Sequence, residues 1–533
     1  MIQEMYKGQS KIIRWEGRDS LPIPIYQGVA QGAHLSPPQY LLQNNSNLNS
    51  LDNYSKGYNI GHIKITNNTV ADDELLIASS HTDAQTQLNI ISSECSRDRA
   101  IINPIKTEAM ILNSPKVELL YNDKNVPITE SAKHLGLHLS QNPIKADNAI
   151  SKSRKTIYAL MGAGAHGMNG INPIISRKIW QRYNLPRSTH GLDIQILNNK
   201  ELKRFETHEI KYMKQFQTLP KFAPNILSYI LTGGKPCKLI LHQKMMTLLM
   251  NIRRKNGIEL EIGKRQLAMK PDSSNSWFHR VNKVANLYKL PNSYTVLEEP
   301  AWDKMTWKKT VKATMKQYQE EKWQEKLTNL TSLAAINPKA IQLGTPHPVW
   351  ETAGYSVNAV RQAISKVRFL TNTLMTGEKC LKFFGNSAIC NCGYPVEDRS
   401  HILLNCPSYI DLRSFCIQKM TELLLSEYPW IITEKMIVES STLECLILDP
   451  TWYRSDVGSP GRGLPNILEK RTTDELERIG RTFCYQVYKR RFSLLSEKKD
   501  DSDSETDTDE DDYSLHDTTE DDSSEAESEY FEH

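Results

Sequence analysis

The fold of this sequence is organised around the stretch V-A-D-D-E-L-L-I-A, residues 70–78. Two adjacent acids, Asp72 and Asp73, stand between apolar residues, and the β-branched Ile63, Ile65 and Val70 precede them. Apolar and polar residues alternate on both sides of a short polar break, which predicts a β-hairpin with the two acids at its tip. Carboxylates on a rigid tip offer the hard oxygen ligands that Mg²⁺ prefers. An ordinary turn is the alternative, because Asp is a favoured turn residue.

Three further motifs flank this hairpin in a fixed order. Upstream lies Q-G-V-A-Q-G-A-H-L-S-P, residues 27–37, whose glycines allow close backbone approach to a ligand and whose Ser36-Pro37 pair is a good helix start. A glycine-containing loop that leads into a helix is the alternative there. Downstream come a helix capped by Thr82 or Asp83, then I-N-P-I-K-T-E-A-M at 102–110, then H-L-G-L-H-L-S at 134–140, which reads as a strand.

This order of four motifs resembles the palm motifs of reverse transcriptases, and most closely those of non-long-terminal-repeat (LINE-type) retrotransposons. The resemblance covers roughly residues 1–140. It implies an RNA-directed DNA polymerase in which Asp72 and Asp73 bind catalytic Mg²⁺. It also implies that Gln31, Gly32 and Ser36 lie near the incoming nucleotide and template. By the same resemblance, Lys106 donates a proton to the pyrophosphate leaving group.

The chain departs from that family at a decisive position. The family carries another essential Asp in an upstream strand of the form F-x-x-x-D-x-x-x-A-F-D, whereas Asp19 has no such setting and the chain begins downstream of that strand. A two-metal site needs carboxylates from both strands. Ala30 and His34 also stand where the family pattern leads us to expect other residues. We therefore expect an N-terminally truncated, catalytically incomplete copy of the enzyme.

The predicted class is α+β: a partial palm with an antiparallel sheet and helices, then mostly α-helical domains, a small zinc knuckle and a disordered acidic tail. The predicted divisions are 1–140 for the palm, 141–260 for a thumb-like helical region, 261–345 for a helical connector, 346–420 for the knuckle region, 421–499 for C-terminal helices and 500–533 for the tail. The thumb-like region includes a helix from Glu201 to Phe216 with a basic side of Lys200, Lys203, Arg204, Lys211 and Lys214. In the connector, Trp307, Val311 and Met315 recur at helical spacing beside a stripe of Lys308, Lys312 and Lys316, and we interpret the apolar set as the packed side.

A second group of candidate ligands lies near the C-terminus. Nine cysteines, an odd number without a secretion signal, indicate a reducing compartment, and five of them fall between Cys380 and Cys416. The spacing C-x-C-x8-H-x4-C identifies Cys390, Cys392, His401 and Cys406. Thiolates and imidazole are the ligands of structural Zn²⁺, and four of them close a tetrahedral site. Cys380 or Cys416 can substitute for one of them, and buried thiols with a core histidine are the alternative.

Charge is distributed very unevenly along the chain. Residues 500–533 contain 17 Asp and Glu and no Lys or Arg. Taking them from the total of 62 acids leaves 45 against 66 Lys and Arg, so the first 499 residues carry a formal charge of +21. A body so basic predicts RNA and DNA as partners. The tail suggests a protein partner or a self-shielding arm.

No apolar run approaches the length that spans a bilayer, and residues 1–17 lack the apolar core of a signal peptide. We therefore expect a nuclear or cytoplasmic protein that is neither secreted nor held in a membrane. Two functions remain open at this point. One is a reverse transcriptase, and the alternative is a nucleic-acid-binding or interaction protein derived from such an element.

Overall fold

The computed structural model describes residues 7–26, 28–29, 32–115, 117–140, 146–165, 170–195, 197–269, 276–429, 439–457 and 464–500. Within these ranges the protein is α+β, with small antiparallel hairpins in the first 140 residues and helices after them. The predicted α+β class is therefore confirmed. Residues 501–533, nearly all of the predicted acidic tail, lie outside the described ranges.

The strands form six antiparallel pairs. They are β1 Ser10–Lys11 with β4 Ile23–Pro24, β2 Arg14–Trp15 with β3 Arg18–Asp19, β5 Tyr58–Ile60 with β6 Ile63–Ile65, β7 Asn67–Val70 with β8 Asp73–Leu76, β9 Leu120–Tyr121 with β10 Lys124–Asn125, and β11 Ser131–His134 with β12 Leu137–Ser140. Every sheet in the described part of the chain has two strands. The palm predicted for residues 1–140 stays a prediction.

The acidic hairpin forms where the sequence predicted it. In the register of β7 and β8, Val70 lies opposite Asp73, so Ala71 and Asp72 make a two-residue turn. Ala71 is left-handed, with φ of +55°, as the first residue of a tight hairpin turn often is. Ile63 and Ile65 belong to the neighbouring β5–β6 hairpin.

Two local predictions were wrong. Residues 134–139 are two strands, not one, because Leu135 and Gly136 both take positive φ (+51° and +77°) and reverse the chain. The helix after the acidic hairpin is capped by Ser80 instead of Thr82 or Asp83. The Ser80 Oγ accepts a hydrogen bond of 3.1 Å from the Asp83 backbone N–H, which satisfies a donor of the first turn.

The helices run from residue 36 to residue 500. They are α1 Ser36–Tyr54, α2 His81–Arg97, α3 Asp147–Gly162, α4 Pro173–Ile179, α5 Leu185–Ser188, α6 Asn199–Phe216, α7 Leu227–Ile230, α8 Cys237–Lys255, α9 Ile258–Met269, α10 Trp277–Leu287, α11 Ser293–Glu298, α12 Lys304–Asn329, α13 Pro348–Glu351, α14 Val357–Leu370, α15 Gly377–Phe384, α16 Ile410–Glu427, α17 Ser440–Leu448 and α18 Lys470–Asp500. Short 3₁₀ turns lie at Thr331–Leu333, Pro338–Ala340, Pro407–Tyr409 and Pro450–Tyr453, and π turns at Trp180–Asn184 and His401–Asn405.

One hydrophobic cluster collects buried side chains from Ala146 to Val487, and a small separate one joins Leu88, Leu119 and Val126. The large cluster draws on each of the four regions predicted between 141 and 499, whose boundaries stay predictions. Trp307, Val311 and Met315 are buried in it, which confirms that they are the packed side of α12. In α6, Lys214 is also buried, and its Nζ donates to the Lys221 carbonyl at 2.9 Å. Lys214 therefore does not belong to the exposed basic side of this helix.

The last helix, α18, packs against α14, α16 and α17 and completes this core. Its sequence predicts an apolar stripe of Leu476, Ile479, Phe483 and Val487 at helical spacing. Leu476, Phe483 and Val487 are buried and Ile479 is half-buried, so this is the packed side. The same interface contains a buried ion pair. The Lys366 Nζ lies 2.8 Å from the Glu477 Oε2, and neither side chain is accessible to solvent. None of the helices in the described ranges has the length and apolar character required to cross a bilayer.

Candidate metal centre

The first two ligands are brought together by a tight turn. The Gly393 N–H donates to the Cys390 carbonyl, and the Cys390 N–H donates to the Tyr394 carbonyl, each at 2.9 Å. Gly393 has φ of +88°, a conformation that favours glycine. This closed loop turns the side chains of Cys390 and Cys392 toward the same point, although a single residue separates them.

The other two ligands are placed by a π turn over His401–Asn405. The Cys406 N–H donates to the His401 carbonyl at 2.7 Å, and this wider helical turn leaves both side chains on one side of the backbone. The Asp398 carboxylate accepts from the His401 N–H at 2.6 Å and fixes the start of the turn. The Tyr394 ring stacks on the imidazole with centroids 4.3 Å apart.

Four ligand atoms converge at this point. The ligand atoms of Cys390, Cys392, His401 and Cys406 all lie within 4.8 Å of one another. The two sulfurs of Cys390 and Cys406 are 3.8 Å apart, and the Cys392 sulfur is 3.3 Å from the His401 Nε2. Zn–S bonds of ~2.3 Å and Zn–N bonds of ~2.0 Å at tetrahedral angles require separations of roughly 3.8 and 3.5 Å. The donor set therefore fits Zn²⁺, and the Cys390–Cys406 and Cys392–His401 separations are close to the required values.

Burial and hydrogen bonding adjust the ligands differently. Burial raises the pKa of the Cys390 thiol to about 12. Burial also acts to raise the pKa of Cys392, but donation from the Tyr394 N–H and the neighbouring thiols outweighs it, and that pKa is lowered. Burial lowers the pKa of His401, which keeps the imidazole neutral and able to bind metal. Its Nδ1 is buried without a hydrogen-bond partner in the described part of the chain.

Arg413 connects the π turn to α16. Its guanidinium donates to the carbonyls of Leu403 and Cys406, both at 2.8 Å, and so ties the π turn to α16. Between His401 and Cys406 in the chain, Ile402 and Leu403 are fully buried and Leu404 is half-buried. The alternative ligands Cys380 and Cys416 do not join the four-ligand group, and this group is the one possible metal cluster found among the residues that the structure describes.

The predicted Mg²⁺ site is much less complete. Asp72 and Asp73 are exposed at the hairpin tip, and the turn is held to α1 by the Asn44 side-chain amide, which donates to the Ala71 carbonyl at 3.3 Å. Asp19 instead pairs with Arg14 at 2.6 Å in the β2–β3 hairpin. In the described ranges no third acid or histidine gathers around the Asp pair, so Mg²⁺ has no support from the geometry.

The other residues implied by the palm resemblance lie in different turns and helices. Lys106 is exposed in a turn that begins at Asn103, and Gly32 is left-handed with φ of +87°. Ser36 is buried at the first position of α1. Gln31 lies outside the described residues. The proposed contacts of these residues with nucleotide, template and pyrophosphate stay predictions.

Sequence reasoning missed the residues that hold the ligands in place. Asp398 stands three residues before His401, a spacing typical of a capping acid, and this signal was available. The Tyr394 stacking carried no signal in the local sequence. The same holds for the buried Glu397, whose carboxylate binds Arg491 of α18 at 2.5 Å and the Gly377 N–H at 3.1 Å.

The chain matches no protein-family model, and it matches no curated protein. The resemblance to LINE-type reverse transcriptases therefore rests on the four sequence motifs and stays a prediction. Function has to be argued from the site itself.

Proposed function

We propose that this chain is a nucleic-acid-binding protein, related to the reverse transcriptase of a non-LTR retrotransposon, with a structural Zn²⁺ in its C-terminal half. The observation that supports this proposal most directly is that the ligand atoms of Cys390, Cys392, His401 and Cys406 converge, with sulfur–sulfur and sulfur–nitrogen separations that suit tetrahedral zinc. Three sulfurs and one nitrogen fill all four positions. Such a closed site stabilises a fold and leaves no open position for catalysis.

The formal charge supports the choice of partner. A body of +21 attracts polyanions, and Lys and Arg that neutralise phosphates release counterions on binding. RNA and DNA are therefore the proposed partners. A nuclear or cytoplasmic location and a protein partner for the acidic tail belong to the same proposal.

The test combines zinc content with nucleic-acid binding. Purified protein should contain about one Zn²⁺ per chain by metal analysis, since one Cys₃His set makes one site. Replacing Cys390, Cys392 and Cys406 by Ser and His401 by Asn should remove the zinc. A matched control, Cys95→Ser with Cys380→Ser, removes two half-exposed thiols outside the group and should keep it.

The binding arm uses a labelled single-stranded RNA and a DNA duplex at low salt. We expect binding by the wild type that weakens steeply as salt is raised. Zinc that persists in the four-ligand variant would overturn the metal site. Wild-type protein that binds neither nucleic acid would overturn the function.

A polymerase is the second candidate, and one observation favours it. The Asp72–Asp73 pair is exposed at the tip of a two-residue turn, where a metal and substrate have access. The absence of a third carboxylate from the described surroundings of the pair places this candidate second.

A further inference from the structure

A glycine-containing loop leads into α8 with the sequence T-G-G-K, residues 232–235. Gly233 has φ of +67°, and a Cβ there would lie 2.6 Å from the backbone of Thr345. A Cβ on Gly234 would lie 3.4 Å from the Arg177 Cδ, so the stem of that arginine runs beside the loop. The loop therefore fixes Lys235 next to Arg177.

Arg177 is an unusual cation because it is buried without an anion. Its side chain belongs to α4 and the residue is 8% exposed. One Nη donates to the Gln181 side chain at 3.2 Å, while the Nε is buried with no hydrogen-bond partner. No salt bridge to a carboxylate is found for it in the part of the chain that the structure describes. Its positive charge therefore has no carboxylate among these residues to offset it and favours an anion nearby.

The lysine stripe of α12 supplies the other charges. Since Trp307, Val311 and Met315 face the core, Lys312 is exposed and Lys316 is half-exposed. The helix α12 packs against α8, and the Trp307 indole N–H donates to the Met246 carbonyl at 3.0 Å. Burial lowers the pKa of Lys235, and the charges of Lys312, Arg177 and Lys316 lower it further, so these three cations act on its ammonium. Cations from α4, the 232–235 loop and α12 thus lie in one region of the fold.

The nearby acids are already engaged. Glu320 lies 3.6 Å from Lys316, but its carboxylate also accepts from the Leu343 N–H at 2.7 Å. Glu209 accepts from the Cys237 N–H and the Tyr229 hydroxyl, which follow and precede the loop in the chain, at 2.9 and 2.8 Å. Neither acid neutralises Arg177, Lys235 or Lys312.

We propose that Arg177, Lys235, Lys312 and Lys316 form a binding site for the backbone phosphates of nucleic acid. The site rests on the proposed function but uses no residue of the zinc centre. Backbone phosphates can accept from the ammonium groups of Lys235, Lys312 and Lys316, and the buried Arg177 adds a positive charge beside the loop that no carboxylate of the described residues offsets. The contacts carry no base specificity, because every nucleotide has the same backbone.

The test is a double variant, Lys235→Gln with Lys312→Gln, in the full chain. Binding of a labelled single-stranded DNA is measured by anisotropy over a salt series. Each lost phosphate contact should reduce the slope of log K against log[salt] by ~0.7, so two contacts correspond to roughly 25-fold weaker binding at 0.1 M salt. The control, Lys283→Gln with Lys326→Gln, removes two exposed charges that do not act on Lys235.

We expect the control to keep both the slope and most of the affinity. Unchanged zinc content and melting temperature in the double variant show that the fold is intact. Equal binding by the double variant and the control would overturn the phosphate site, while wild-type binding would still uphold the proposed function. If ATP or inorganic phosphate protects the wild type but not the variant from heat, and DNA binding is equal in both, the site takes free phosphate compounds and the backbone assignment is wrong.

Discussion

Replacing Lys366 by Met should lower the free energy of unfolding by about 3–5 kcal/mol, because it leaves a buried carboxylate without its cation. The magnitude follows from the surroundings of Glu477. Its Oε2 lies 2.8 Å from the Lys366 Nζ, and its Oε1 is buried with no hydrogen-bond partner in the described residues. Both side chains are completely inaccessible, so water cannot replace the lost ammonium.

The loss of folding stability in Lys366→Met should become smaller as pH is lowered. Burial raises the pKa of Glu477 and Lys366 acts to lower it, so removing Lys366 should raise that pKa further in the folded variant than in the wild type. Between the unfolded pKa, about 4.3, and the raised folded pKa, the folded state binds more protons, and stability falls as pH rises. The variant should therefore be closest to the wild type at low pH.

Urea unfolding followed by circular dichroism measures these effects. Lys366→Met with Glu477→Met should recover most of the loss, because two apolar side chains of similar volume replace a pair that was costly to bury. As a control, Lys419→Met breaks an exposed pair with Glu422 and should cost under about 1 kcal/mol. A loss below 1 kcal/mol in Lys366→Met, or a double variant as unstable as the sum of the singles, would refute this reasoning.

Three further predictions follow from the site and the charges. Burial raises the pKa of Glu209 to about 7, so between the unfolded pKa and pH 7 the folded state holds a proton that the unfolded chain has lost. The free energy of unfolding of the wild type should therefore fall by about 3 kcal/mol between pH 4.5 and 7, relative to Glu209→Gln, as measured by denaturant titration at each pH. The chain should show no primer extension with Mg²⁺ or Mn²⁺, and template-dependent incorporation that disappears in Asp72→Ala with Asp73→Ala would contradict this. Deleting residues 500–533, which carry 17 acids, should tighten RNA binding, and most so at low salt, because a tethered acidic arm competes with nucleic acid for the basic body. Equal RNA affinities of the full-length and shortened chains at low salt would show that the tail does not compete.

Local patterns predicted the parts of the fold that local physics determines. The acidic hairpin, the packed side of α12 and the stripe of α18 follow from period-2 and period-3.6 apolar spacing, and the zinc ligands follow from residue type and spacing. Leu135 was read inside a strand because a leucine seldom takes positive φ, so its alternation hid the turn.

Long-range pairing could not be predicted in the same way. Lys366 and Glu477 are 111 residues apart, and nothing in either local sequence indicates that both are buried. Arg177 likewise lies on a short helix whose local sequence does not indicate that the arginine is buried. Its place beside the loop at 232–235 is a contact between distant parts of the chain. These contacts are set by how helices pack, which periodicity alone does not specify.

The position of α18 has a consequence for the order in which the protein is made. The four candidate zinc ligands are complete once Cys406 has been synthesised, whereas Lys366 meets its carboxylate only after Glu477, 71 residues later. At about 5–20 residues per second, this interval is roughly 4–14 s. During it, the faces of α14 and α16 that α18 later covers are exposed to the cell, and the knuckle can already hold its metal. A nascent chain that stalls before α18 therefore offers chaperones an apolar surface beside a complete set of four candidate metal ligands.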